Sequence, residues 1–514
     1  MNLRRQFIAL TTITVATLFS GCEVFTEALS IVFQLLSSQC AHSVKLSLEW
    51  IAEIHSWKRE FICARRPPKA AFGDIVEMSN QNWKGKDYIS GDNKSMWTTN
   101  VCVAGFECDT VCRLRTAAPT DASSCMENAS GKTGTTGRAT LLCIIKFRFP
   151  LTLLENSAIL GAENINFIIE YLNYFGFFVH PWTLKAEDYK SPVRRERQYL
   201  AVIPLALESI DQLDEGFVKP AYVAEFTAAL SSMVQGQGSP NDFLLPKSSP
   251  DYMSYHQTAI ADRAIANHKA AEKLQSANMS KAVDKLRMPP PPLKKAKTIR
   301  IVGVEKLTAE EWEADHLDMY RSANMPWPPN IDIDDPELYA AVLQLPVRMQ
   351  QAAYYHVHRK REDPYTHTFH DLNPTLKFDS EMPNILQTTL CTSVMFDRKA
   401  KKVLSGLELL LFNGMPYDVA TVTQESNSHY TELGGNMFNA FALCPIIIGF
   451  LLVGLFADNQ FDGRSHINKG DDPDKDPNKD DSANSSRDLS SSDEMDEDSE
   501  SEENLDSKSE EVLW

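Results

Sequence analysis

At 514 residues the chain is long enough for two or three domains, and its 43% hydrophobic content is that of a folded protein, not a wholly disordered one. The net charge of −18 argues against a nucleic-acid partner only until it is located: the residues from Asp458 onward hold 20 acidic and 6 basic side chains, which leaves −4 for everything before them. Ten cysteines form no CxxC pair and no regular spacing, which speaks against a disulfide framework or a zinc site and for a reducing, intracellular compartment.

Met1 to Cys22 starts with Arg4 and Arg5 and runs through an apolar stretch into Phe19-Ser20-Gly21-Cys22. It reads as a secretory signal, even a lipoprotein one, or as a buried first strand over Thr14–Phe19 closed by a Gly turn. Thr11, Thr12 and Thr14 suit the strand. A helix is expected from Glu27 to Leu36, then strands at Val44–Trp50, Val101–Ala104 and Leu151–Leu154. Ile165–Tyr174 has helical spacing, with Gly176 placed as its C-terminal cap. Further strands are expected at Phe177–Val179 and Gln198–Ile203. Alternating strand and helix predicts a doubly wound α/β sheet, which binds ligands beyond the carboxyl ends of its strands.

From residue 206 to about 399 this rhythm fades. Tyr255–Arg287 reads as a polar helix, and Pro289–Pro292 as a stiff run. The cluster Lys294, Lys295, Lys297 and Arg300 reads as a nuclear-import signal, a phosphate-contacting patch or a solvated linker. Tyr354 to Arg361 interleaves aromatic and basic residues, which suits base stacking with phosphate contacts or the basic face of a helix. No histidine pattern predicts a metal site. Order returns at about residue 400. Phe438–Ala457 is apolar and uncharged, long enough for a membrane span and equally suited to an enclosed helix. After Asp458 the composition predicts disorder.

The loops that close the strands carry the chemistry. Leu18-Phe19-Ser20-Gly21-Cys22 follows the first strand, Ala52-Glu53-Ile54 the second, and Gly73-Asp74-Ile75 lies in the next loop. A Gly turn lets backbone approach a bulky ligand, and a carboxylate after the second strand can hold ribose hydroxyls. Asp74 adds a second carboxylate that can accept hydrogen bonds. Val103-Ala104-Gly105-Phe106-Glu107-Cys108, Glu155-Asn156-Ser157 and Val193-Arg194-Arg195-Glu196-Arg197 follow, and Phe412-Asn413-Gly414 and Gly434-Gly435-Asn436-Met437 lie near the end. Ser130-Gly131-Lys132-Thr133 is no phosphate loop, because Met126 stands at the first required Gly. Lys132 and Arg138 are expected in a long mobile loop.

In order and spacing these segments resemble the cytosine-C5 DNA methyltransferases over about residues 13–205 and 400–457. The resemblance implies a Rossmann-like core, residues 1–205, that binds S-adenosyl-L-methionine through Phe19, Gly21, Glu53, Ile54, Asp74, Ile75 and Asn436. It implies Cys108 as the nucleophile toward C6 of cytosine and Glu155 as the group that holds or protonates N3. Arg195 and Arg197 would orient the loop and the flipped base. Residues 206–399 would be the variable target-recognition region, 400–457 the return to the core and 458–514 the acidic tail. DNA is the implied partner and RNA the alternative, with basic proteins for the tail, no membrane and a nuclear location. The apolar segment at 438–457 then reads as the buried helix that follows the last motif.

The pattern breaks at Glu107 and Asp109, where the family has Pro and Gln, at Val193 for Gln and at Ser157 for Val. Two carboxylates beside a thiol disfavour its thiolate. Two readings therefore stand. In one, the chain methylates C5 of cytosine in DNA, or in transfer RNA. In the other, it is a weak or inactive relative that binds nucleic acid.

Overall fold

The computed structural model describes residues 11–19, 21–108, 122–205, 222–254, 257, 258, 261, 309–343, 345–359, 366–374, 376, 383–389, 393–423 and 425–455. Most of Tyr255–Arg287, the proline run, the basic cluster at 294–300 and the acidic tail lie outside them, as do Asp109 and Ser20.

Seven strands form the central sheet: β1 (Thr12–Leu18), β2 (Lys45–Ala52), β3 (Ala70–Phe72), β6 (Val101–Ala104), β7 (Leu151–Ser157), β8 (Phe177–Lys185) and β9 (Glu196–Pro204). A small hairpin, β4 (Lys84–Lys86) and β5 (Asn93–Ser95), stands between β3 and β6 in the chain. The sheet order is β3-β2-β1-β6-β7-β9-β8. All neighbours are parallel except at β9, which runs antiparallel to both β7 and β8. The expected doubly wound sheet is thus present, with one reversed strand inserted near its edge. The order reverses between β1 and β6, and this switch point opens a crevice at the carboxyl ends of the strands.

Both faces of the sheet are covered, so its strands are apolar on both sides. Alternate residues divide between two cores: Val101 and Val103 of β6 face one, Cys102 and Ala104 the other. The first core is closed by α1 (Val24–Cys40), α6 (Tyr222–Ser232) and α12 (Ala440–Leu452), the second by α4 (Gly131–Phe147) and α5 (Ala162–Tyr174). Gly176 caps the α5 end as expected, with φ +75° and its N–H on the Asn173 carbonyl at 2.9 Å. The strand reading of the amino-terminal run holds for Thr12–Leu18, which lies between β2 and β6.

Helix α12 packs against α1, and its Phe450 stacks on Phe226 of α6 at 5.1 Å. Among the described residues no single helix is long and apolar enough to cross a membrane; α11 (Asn427–Asn436) and α12 reach that length only together and are bent by 41°. Residues 309–403 hold α7 (Ala309–Ser322), α8 (Pro336–Val342), α9 (Val347–His358) and a three-stranded sheet, β10 (Phe369–Asp371), β11 (Met395–Asp397) and β12 (Lys402–Val403). Tyr354, Tyr355 and His356 of α9 are buried in this part. The rings of Tyr354 and Tyr355 fill a core and that of His356 stacks on His370, so these three are not the stacking surface their sequence suggested; Lys360 and Arg361 lie outside the described residues. Helix α10 (Gly406–Phe412) then packs on α11.

Candidate active site

The strand ends explain why residues remote in sequence share one edge. The chain leaves β1 at Leu18, β2 at Ala52, β3 at Phe72 and β6 at Ala104, all parallel and side by side. Strand β9 runs the other way, so its first residues, not its last, reach the same edge: Arg197 pairs in register with Ser157 at the end of β7.

A cavity of about 550 Å³ opens over the ends of β1, β2 and β3, within the size range of small-molecule sites. Phe19, Ala52, Ile54, His55, Gly73, Asp74, Ile75 and Val76 form one wall, and Glu107, Gly131, Lys132, Thr135 and Thr136 the other. Phe19 turns the chain at φ +54° and donates its N–H to Ala52 at 2.8 Å. Gly21, at φ +53°, donates its N–H to Oε2 of Glu53 at 3.1 Å, while Oε1 accepts from the N–H of His55 at 3.1 Å. The carboxylate of Glu53 is thereby fixed at the cavity edge. Asp74 caps α3 (Ile75–Asn80), with Oδ1 accepting from Val76 N–H at 2.8 Å. Of the cofactor residues expected from sequence, Phe19, Ile54, Asp74 and Ile75 line this space, and Gly21 and Glu53 brace it. Asn436 does not line it: it is exposed at the end of α11.

These surroundings fit S-adenosylmethionine. Phe19, Ile54 and Ile75 offer apolar surface to a base, Asp74 a carboxylate, and Lys132 with Thr135 and Thr136 a cation and hydroxyl oxygens for an amino-acid end. Helix α4, which carries Lys132 and Arg138, stands where a mobile loop was expected. Its opening run Gly131-Lys132-Thr133-Gly134-Thr135-Thr136-Gly137 has poor helix propensity, and burial of Leu141, Cys143 and Ile144 outweighs it. Arg138 lies over the rings of Phe167 and Tyr171, at 5.1 and 4.4 Å.

Cys108 lies on the loop after β6, half-buried and within electrostatic reach of Arg195. The thiols of Cys22, Cys102 and Cys143 are buried, and burial pushes all three up, that of Cys22 to about 12. Glu107 lies 3.8 Å from Nζ of Lys132, so a cation offsets one of the carboxylates beside the thiol. The loop is pinned by Asn156, whose buried amide donates to the Phe106 carbonyl at 2.9 Å. Gly105 leaves room for Phe438 and Glu155: a Cβ there would come 3.0 Å from the Phe438 ring and 3.5 Å from Oε2 of Glu155.

Glu155 forms an ion pair with Arg197, Oε1 to Nε at 3.1 Å. Burial raises its pKa, opposed by Arg197 and Arg195. Arg195 is itself buried, and burial with the nearby charge of Arg197 pushes it down to about 10, still cationic at neutral pH. It donates to the carbonyls of Gly435 at 3.3 Å and Met437 at 2.6 Å. All four residues expected to act in catalysis therefore meet at this edge. The residues that sequence reading missed are Asn156 as a loop anchor, His55, Thr135 and Thr136 in the cavity, and Asn439, which caps α12 and bonds Ser191 and Asn413 at 3.2 Å each.

No protein-family model matches the chain. Over 203 residues, 38% of its length, it is 24% identical to the DNA (cytosine-5-)-methyltransferase DMT5 of Cryptococcus neoformans var. grubii serotype A. In sequence the chain is a distant relative of that cytosine-5 methyltransferase. The match spans only 8% of the length of the Cryptococcus protein. Among solved structures, the S. pombe Dnmt2 methyltransferase aligns over 86% of this chain and 98% of its own, at 12% identity and a TM-score of 0.37. A prophage-encoded protein of E. coli aligns over 86% and 99%, at 11% identity and a TM-score of 0.42.

Proposed function

We propose that the chain transfers a methyl group from S-adenosylmethionine to C5 of a cytosine in DNA. The observation that carries this reading is the meeting of Cys108, Glu155, Arg195 and Arg197 at one sheet edge, beside a cavity whose wall holds Phe19, Ile54, Asp74 and Ile75. The distant relationship to a cytosine-5 methyltransferase supports it.

Each residue has a role that its surroundings suit. Cys108 adds through Sγ to C6 of the base, which makes C5 electron-rich. Glu155, raised by burial, holds a proton at N3 and draws electrons from C6. Arg197 keeps the Glu155 carboxyl in place, and Arg195 supplies positive charge beside the thiol. When bound, the donor supplies a methyl group activated on a sulfonium. Glu53, Ile54, Asp74 and Ile75 hold its nucleoside, and Lys132, Thr135 and Thr136 its amino-acid end. Residues 1–205 and 400–457 form the catalytic core in this reading, and 206–399 read the target. The acidic tail binds basic proteins, and the protein acts in the nucleus.

Cys108→Ser tests the assignment. Methyl transfer from labelled donor to duplex DNA is expected to be abolished, while donor binding by calorimetry stays within about twofold of the parent, since the thiol makes no part of the donor wall. Unchanged transfer would remove Cys108 as nucleophile. Transfer to transfer RNA and not to DNA would move the substrate from one nucleic acid to the other.

A further inference from the structure

Helix α2 (Ser56–Arg65) carries a side chain to which the proposed reaction gives no role. Arg59 is buried, and its Nη1 donates to two consecutive carbonyls, Glu53 at 2.6 Å and Ile54 at 2.8 Å. The same guanidinium lies over the ring of Tyr88, 3.8 Å from its centroid. Tyr88 in turn covers Gly73, where an added Cβ would come 3.3 Å from the ring.

The turn that carries Tyr88 is itself anchored. Asp87 is fully buried; its Oδ1 accepts from the N–H groups of Ala71 and Ile89 at 2.9 and 3.0 Å, and its Oδ2 meets Nζ of Lys94 at 2.6 Å. One guanidinium thus clamps two loops that leave neighbouring strands, Glu53–Ile54 after β2 and Gly73–Asp74 after β3. Ile54, Gly73 and Asp74 line the cavity. A lysine can replace it only in part, because only a planar fork bonds carbonyls at its edge and stacks on a ring with its face at once.

We propose that Arg59 is a positioning residue for the nucleoside half of the donor. It sets the separation of the Glu53–Ile54 and Gly73–Asp74 walls without touching the ligand. This inference rests on the donor-site reading above.

The test compares two ligands on the full chain by calorimetry: S-adenosylhomocysteine, and 5′-methylthioadenosine, which keeps the nucleoside and lacks the amino-acid end. Arg59→Gln is expected to weaken both by the same factor, about tenfold, the size of one lost charge-assisted hydrogen bond. Arg59→Lys should fall between it and the parent. Should Arg59→Gln fail to fold, Tyr88→Leu carries the test, since Tyr88 is 52% exposed. It should weaken both ligands about threefold, the worth of an exposed cation–π contact. Affinities equal to the parent, or a loss confined to S-adenosylhomocysteine, would overturn the role of Arg59 and leave the donor site standing. A parent protein that binds neither ligand would overturn the donor site, and this inference with it.

Discussion

Nε of Arg197 lies 3.1 Å from Oε1 of Glu155 across the β7–β9 pair, and the pair exists because β9 runs antiparallel. Burial raises the pKa of Glu155, and Arg197 lowers it again. A carboxyl raised in the folded state binds its proton more tightly there than in the unfolded chain. Its contribution to stability is present at low pH and lost as pH rises through the raised value. Activity that needs this proton is expected to fall on the same limb. Arg197→Gln removes a lowering influence, so the limb should move to higher pH, checked by the pH profile of single-turnover transfer. A limb that stays in place would detach Glu155 from it.

Asn156 holds the nucleophile loop through the Phe106 carbonyl at 2.9 Å. Asn156→Ala leaves that buried carbonyl without its donor, at a cost of about 1–3 kcal/mol. Transfer should fall by more than the loss of folded protein accounts for, because Cys108 lies two residues further along. Denaturant titration and transfer rates on the same preparation separate the two effects.

Lys132 offsets the charge of Glu107 at 3.8 Å. Lys132→Glu is expected to slow alkylation of Cys108 at neutral pH by about two- to fivefold, the scale of an exposed ion pair. Glu107→Gln should speed it. Mass spectrometry of iodoacetamide-labelled peptides reads both, with the buried Cys102 as an unreactive control.

A buried ion pair joins β12 to the start of α10. Nζ of Lys402 meets Oε1 of Glu408 at 2.5 Å and the Leu245 carbonyl at 2.6 Å, and Oε2 of Glu408 closes a capping box on Ser405. Lys402→Met leaves Glu408 enclosed without its cation, and about 3–5 kcal/mol of stability should be lost. Glu408→Gln keeps the cap geometry and should cost less. Chemical denaturation of both variants checks the order.

Much of this edge is legible in the sequence because strand ends are local events. An apolar run, then Gly or a carboxylate, marks the loops at Phe19, Glu53 and Cys108. What was not legible is set by distance or by competition. The sense of β9 depends on its pairing with β7, not on its own residues. Asn156 looks like any loop amide until Phe106, 50 residues earlier, is beside it. Helix α4 hides behind its glycines and threonines, and so does the second wall of the cavity. Asn436, expected in the donor pocket, ends α11 on the surface, whereas Asn439 three residues on is buried. Tyr354 and Tyr355 show the reverse case: aromatic residues among basic ones suggested a binding face, and the helix turns them inward.

A nucleophilic Cys108 must form a bond to C6 of cytosine that can be trapped. Duplex DNA carrying 5-fluorocytosine traps it, because the fluorine blocks the final elimination and an active enzyme stalls as a covalent adduct. With S-adenosylmethionine present, a denaturation-resistant protein–DNA species is expected whose linked peptide contains Cys108, absent in Cys108→Ser. No adduct on several DNA sequences or on transfer RNA carrying the same base, from a protein that still binds the donor, would contradict it.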